Sequence, residues 1–385
     1  MRVLAVAVAA CAALTALAMP APGASDVRGT SAALTIVTRG GMPMASGTGC
    51  SAVRRGGFVG VGGGDSFGDR ANSECILGLQ AASGVGFLRH NFDWTYIEYA
   101  PGKYDFSLED WWVAATARKR IRILPILFGA PTFYTRRFTG GTAPPSDNAA
   151  FGNFSAALVR RYGPDGSFWA EHPEVPKLPI RSWQIWNEPN LRQYWYPRPN
   201  PAAYVRLLKA AYAGIKSVDR RAEVVTAGLP DSKLGDAMPF RKFVTGMYRA
   251  GAKSAFDSLA PNAYATTARG VVKLIGKTRA LMRHFGDRRA GMWVTEVGWG
   301  TGGPKHRFNI GAKRQAREIA TLLRSLYRVR RKYRLRGVVY YGWRDKPPYP
   351  PKFKDMWGLH TGLFTLKGEP KPGYRAFARV ATRLR

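Results

Sequence analysis

The sequence predicts an α/β protein, a single (β/α)8 TIM barrel. Two observations predict it: runs of apolar, β-branched residues recur eight times, and most are separated by stretches whose apolar residues fall three or four apart. A third favours closure over an open sheet. Two of the runs end on a glutamate set among tryptophans, and in a barrel all parallel strands end at one face, where such side chains meet.

The strand-like runs are 58–61, 85–88, 121–127, 180–186, 224–227, 256–260, 292–295 and 337–341. Helical spacing covers 107–119, 148–162, 201–218, 238–250, 270–285 and 311–333. The first strand leads into Gly60-Val61-Gly62-Gly63-Gly64-Asp65, which superficially offers the phosphate loop of a doubly wound sheet, the rival architecture. That fingerprint needs a helix opening at once and an acidic residue about twenty positions on. Here Asp65-Ser66-Phe67-Gly68-Asp69 continues as loop, so the glycines are expected to serve close backbone packing below the barrel mouth. After the eighth strand, 362–374 reads as a hairpin-like turn and 375–384 as the last helix. One domain over 58–385 suffices, since barrels of this kind take about 250 residues or more.

The N-terminus reads as an export signal over 1–25: Met1-Arg2, an apolar run over 3–18, then Pro20-Ala21-Pro22-Gly23-Ala24-Ser25. The expected product is secreted. Residues 26–57 form an N-terminal extension rich in Gly, Ser, Thr and Ala, and no transmembrane segment is expected. Beyond the leader lie Cys50 and Cys75, flanking the first strand; an oxidising destination makes a disulfide between them reasonable, with two free thiols the alternative.

The chemistry sits in Trp183-Gln184-Ile185-Trp186-Asn187-Glu188-Pro189-Asn190 and Trp293-Val294-Thr295-Glu296-Val297-Gly298-Trp299. Each reads as a buried strand closing on a carboxylate. Asn-Glu-Pro by itself is equally a strand stop, because proline bars further ladder bonds. A lone glutamate at a strand end is more often a structural ion-pair partner. Two together, on the fourth and seventh strands, lie across one barrel mouth. One carboxyl group protonating a leaving oxygen while the other attacks, or activates water, is the machinery for cleaving a glycosidic bond.

These residues resemble glycoside hydrolase clan A, in its family thirty-nine and family five branches. The matching pieces run through nearly the whole chain: Phe87-Leu88-Arg89, Tyr104-Asp105-Phe106, Ile123-Leu124-Pro125-Ile126-Leu127, Trp186-Asn187-Glu188-Pro189-Asn190, Tyr264, Thr295-Glu296-Val297-Gly298-Trp299 and Tyr341-Gly342-Trp343-Arg344-Asp345. The resemblance implies Glu188 as acid/base and Glu296 as nucleophile of a retaining hydrolase. It implies that Asn187 binds the sugar 2-hydroxyl, that Arg89 and Tyr264 hold the nucleophile, and that Trp343 floors the reacting sugar. It implies no cofactor and no metal, and an oligo- or polysaccharide as substrate.

The pattern departs from the clan in two places. Many relatives carry His-x-Tyr after strand six, where this chain has Asn262-Ala263-Tyr264, and some carry a histidine after strand three, where it has Phe128-Gly129-Ala130-Pro131. The second argues against ordinary cellulase activity. Gln193-Tyr194-Trp195-Tyr196-Pro197, Phe133-Tyr134 and Trp94 are candidate stacking platforms for further sugars; such clusters equally cap barrel loops, and both readings stand.

The formal net charge is +34, from 59 Lys and Arg against 25 Asp and Glu, with dense patches over 118–122 and 324–336. That excess suits an anionic cell-envelope polymer, or reflects basic composition at large. Nucleic acid is not expected, since no recognition motif accompanies the charge. A basic envelope-binding protein on an inactive barrel is the alternative to a hydrolase, and a transglycosylase needs the same residues. The presence of both carboxylates favours catalysis.

Overall fold

The computed structural model describes residues 57–62, 70–135, 142–232, 235–348 and 355–384. The expected leader, the extension up to residue 56, Gly63, Gly64 and Cys50 lie outside them, while Cys75 is exposed on the first helix.

Eight parallel strands close into a barrel in sequential order, the last pairing with the first. They are β1 (Val59–Gly62), β2 (Phe87–Asp93), β3 (Arg122–Phe128), β4 (Ser182–Ile185), β5 (Glu223–Pro230), β6 (Ser258–Asn262), β7 (Gly291–Val297) and β8 (Leu335–Tyr341). Every expected strand is present. A helix follows each: α1 (Arg70–Ala82), α2 (Ser107–Arg118), α3 (Asn148–Tyr162), α4 (Pro201–Val218), α5 (Phe240–Arg249), α6 (Ala268–His284), α7 (Ala312–Tyr333) and α8 (Pro372–Ala381). Among the described residues no helix is long and apolar enough to cross a membrane.

Helix α1 was not expected, and its buried face explains why. That face is Ser73, Leu77 and Gln80, helically spaced but with one apolar residue, and Gly78 interrupts it. Three of the other helices begin where the sequence supplies a side-chain cap: Asp147 accepts from Ala149 N, Asn200 from Ala203 N ahead of Pro201, and Thr267 from Gly270 N.

The core has two layers. Outward-facing strand residues pack under the helices, while the barrel lumen is filled by Phe87, Leu124, Val225, Ala260, Trp293 and Val339, contributed by six strands. Phe87 and Trp293 meet edge-to-face, with centroids 5.1 Å apart. Two glycines make room for these rings. A Cβ on Gly60 would lie 2.3 Å from the Phe87 ring, and one on Gly337 would lie 2.6 Å from the Trp293 ring. Gly60 therefore has the close-packing role expected of it.

Gly60→Ala should force Phe87 off its seat and destabilise the protein by about 1–3 kcal/mol. Gly78→Ala, where an added Cβ meets nothing within 4 Å, should stabilise α1 by about 0.5–1 kcal/mol. Thermal melts of the two variants should shift in opposite directions.

Candidate active site

Glu188 stands three residues beyond β4, in a turn the backbone enters reluctantly. Trp186 and Glu188 take φ of +69° and +45°, left-handed values that cost a non-glycine residue about 1–2 kcal/mol. Neighbouring strands hold the turn: Trp186 N donates to Leu127 O at 2.8 Å and Glu188 N to Gly228 O at 3.0 Å. The Trp186 indole anchors it from outside the barrel, fully buried against Phe128 and Trp195, with Nε1 donating to Tyr194 O at 2.7 Å.

Glu296 reaches the lumen through a bulge. Along β8 the partners run from Val338↔Val294 to Tyr340↔Val297, and along β6 from Leu259↔Met292 to Asn262↔Glu296. In both ladders β7 spends one residue more than its neighbour, so Thr295 and Glu296 both make contacts inside the barrel. Strict alternation from Trp293, which faces the lumen, would send Glu296 outward.

Arg89 on β2 organises what meets there. Its Nη1 donates to Glu296 Oε1 at 2.8 Å, Nη2 to Asn187 Oδ1 at 2.8 Å, and Nε to Gln184 Oε1 at 2.7 Å. Tyr264 OH donates to the other oxygen of Glu296 at 2.8 Å. A guanidinium has no acceptor, so Asn187 must turn its oxygen to Arg89 and has the Nδ2 donor left to offer. On the other carboxylate, Asn262 Nδ2 donates to Glu188 Oε1 at 2.7 Å, and its own Oδ1 accepts from Thr295 Oγ1 at 2.8 Å. Gly228 permits this, since a Cβ there would lie 2.5 Å from Asn262 Oδ1.

Both carboxyl groups are buried, but their company differs. Glu188 has its pKa raised well above the carboxylate range, first by burial and then by the negative charge of Glu296; the Asn262 hydrogen bond and Arg89 oppose the rise less strongly. A neutral amide faces Glu188, whereas a cation and a phenol face Glu296. The arrangement can present a proton donor to one atom of a ligand's bond and an anion to the other.

The structure thus brings together Arg89, Asn187, Glu188, Tyr264 and Glu296. The three tryptophans expected to meet sugar are all buried. Trp94 is fully buried, sandwiched between Tyr134 and Phe154 at 5.0 and 5.4 Å, with its indole N–H donated to Glu98. Trp195 is buried edge-on against Trp186 and Tyr204. Trp343 packs on Phe364 and Tyr374 at 5.1 and 5.9 Å rather than presenting an open face. The aromatic that closes β8 on the lumen side is Tyr341, two residues beyond Val339 and in register with Gly62, which pairs with Arg89. Of the proposed platforms, Phe133 is the exposed one. Asn262, Thr295 and Gln184 were missed as site residues. Asn262 carried a signal, since it stands where relatives of the clan place a histidine.

No family model and no curated protein matches the chain. Solved structures do. The chain is similar to a family 39 glycoside hydrolase from Bacteroides cellulosilyticus WH2 (21% identity over 85% of this chain and 64% of that one, TM-score 0.62). It is similar also to a glucosidase from Croceicoccus marinus (17% identity, 85% and 67% covered, TM-score 0.62). A third is a monomeric β-xylosidase from Caulobacter crescentus CB15 (19% identity, 84% and 69% covered, TM-score 0.60). The chain spans 64% of the first of these, and the fold resembles the family 39 branch of glycoside hydrolase clan A.

Because the folded protein holds the Glu188 proton at pH values where the unfolded chain has released it, the stability from burying neutral Glu188 is full below the ordinary carboxylate pKa. It is lost as pH rises towards the folded value. Glu188→Gln keeps the shape and the Asn262 contact but cannot ionise. Its melting temperature should match the parent at acid pH and exceed it increasingly as pH rises through that window.

Proposed function

We propose that the chain is an exported, retaining glycoside hydrolase acting on O-glycosidic bonds by double displacement. The observation that carries the reading is the pair of buried glutamates in opposite company: Glu188 raised towards its neutral form, Glu296 gripped by Arg89 and Tyr264. Glu296 attacks the anomeric carbon as Glu188 gives its proton to the departing oxygen, and a glycosyl ester on Glu296 results. Glu188, now ionised, takes a proton from water, whose oxygen displaces Glu296 and regenerates both groups. Asn187, with its oxygen held by Arg89, offers Nδ2 to the 2-hydroxyl, a bond that strengthens as positive charge gathers on the ring.

The buried environment makes this sequence self-resetting. Before the first step, the charge on Glu296 opposes ionisation of Glu188; once Glu296 is esterified that charge is gone, and Glu188 ionises more readily as the second step needs a base. The similar xylosidase and glucosidase support a glycoside as the substrate class. Export rests on the leader-like residues 1–25.

Glu296→Ala should abolish turnover of every glycoside with the fold intact. Glu188→Ala should lose about 10²–10⁴-fold on unactivated glycosides, the range for a general acid, and far less in the first step on aryl glycosides with acidic leaving groups. Proton NMR of the first-formed product should show the substrate's own anomer. Release of the opposite anomer would overturn double displacement.

A further inference from the structure

We propose a second binding site, for an acidic polysaccharide, on the face of the barrel opposite the catalytic mouth. The juxtaposition that assigns it comes from the topology. Because all eight strands are parallel, every segment joining a helix to the next strand lies at the N-terminal face, and five of these seven segments carry arginines. Arg120 precedes β3, Arg181 precedes β4, Arg221 precedes β5, Arg289 precedes β7, Arg334 precedes β8, and Arg336 is its second residue. All six are exposed. Arg181 and Arg336 have carboxylates at 3.6 and 3.5 Å, on Asp219 and Glu223. For the other four, no ion pair is formed among the described residues.

A second, independent observation is the backbone at two of them. Among the described residues four non-glycine positions take positive φ; Trp186 and Glu188 form the catalytic turn, and the other two are Arg120 and Arg334, at +56° and +54°. Both follow the ends of helices, where glycine is the residue free of the Cβ penalty. Glycine fills the corresponding turn after α1, α5 and α6, as Gly84, Gly251 and Gly286 at +84°, +79° and +68°. At Arg120 and Arg334 the chain instead accepts a cost of about 1–2 kcal/mol each and displays a guanidinium. Beside Arg334, a shallow depression of about 400 Å³ is lined by Arg330, Arg331, Arg334, Leu335 and Arg336, a concave site for an anionic group.

The partner's chemistry follows from what else the face offers. A lipid surface needs apolar side chains to insert. Among the described residues, of the exposed large apolar side chains Tyr96, Tyr99, Leu108, Phe133 and Leu366 follow strands on the mouth side, which leaves Leu79 and Val218 for the arginine face. A cationic and sparsely apolar face suits a soluble polymer with repeated carboxylate, sulfate or phosphate groups. The choice of a polysaccharide over a nucleic acid rests on the glycosidase reading of the opposite face. Holding the polymer from below leaves the mouth free.

The test measures binding of full-length protein to polygalacturonate, to a neutral glucan, to phosphatidylglycerol vesicles and to single-stranded DNA, with aryl-glycoside turnover followed in parallel. Polygalacturonate binding is expected to fall steeply as salt takes the Debye length from about 10 Å to about 3 Å. It should weaken at least tenfold in R120Q/R221Q/R289Q/R334Q and little in R198Q/R269Q/R317Q/K367Q, which removes equal charge elsewhere, with turnover unchanged in both. R120G/R334G separates binding from folding: relief of the left-handed strain should raise its melting temperature while polygalacturonate binding drops. Equal weakening by the two quadruple variants, or a lowered melting temperature in R120G/R334G, would overturn the assigned face, and tighter binding to vesicles or DNA would overturn the polysaccharide. Absent polygalacturonate binding with turnover intact sinks this inference alone, whereas binding without turnover of any glycoside sinks only the glycosidase reading.

Discussion

The Arg89 guanidinium is the contact on which the site depends. It is itself buried, and it joins β2 to Gln184 and Asn187 at the end of β4 and to Glu296 on β7. Removing one partner of a buried ion pair costs about 3–5 kcal/mol, because the other charge is stranded. That cost runs in both directions here, so losing either Arg89 or Glu296 destabilises the lumen by that amount while the barrel still folds. Lysine is no substitute: a point charge cannot hold three acceptors in fixed directions as the planar fork does. The Gln184 amide completes the frame, with Nε2 donating to Thr226 O on β5 at 3.0 Å.

From that constraint the division of labour between the carboxylates follows. The one cation at the centre grips Glu296, so Glu188 is left with a neutral amide and a nearby negative charge. The protein enforces the difference by backbone means. β4 ends in two left-handed residues, and β7 inserts one residue to turn Glu296 inward. Both are local departures from ideal geometry at the two buried glutamates, each held by regular barrel ladders on either side.

The same departures mark where the sequence stopped being legible. Periodicity located all eight strands, because β-branched runs between helical stretches have few other solutions. It located both glutamates, because their strings are dense in aromatic and turn residues. It missed α1, whose buried face is mostly polar. It gave no hint of the β7 bulge, which exists only in the pairing of three strands. Asn262 passed as an absence, a histidine missing from a pattern, when its amide is in fact the hydrogen-bond partner of Glu188. An indole beside a glutamate-bearing string looks the same in sequence whether its face is open or, like Trp94, stacked on both sides.

Magnitudes also keep the two halves of the molecule apart. A unit charge about 20 Å away through water acts on a carboxyl group with about 0.2 kcal/mol, and physiological salt screens even that. Burial of an ionised carboxylate costs several kcal/mol. The +34 of the chain therefore cannot set the protonation of Glu188, whose rise above the carboxylate range runs against the sign of the surrounding charge. Chemistry at the mouth is governed by the few groups in contact, whereas a surface excess of cations acts over distance on whatever large anion approaches. Parallel strands make this separation possible: one end of each strand presents the glutamates and their partners, and the other receives the arginine-bearing segments, with a lumen packed by Phe87 and Trp293 between them.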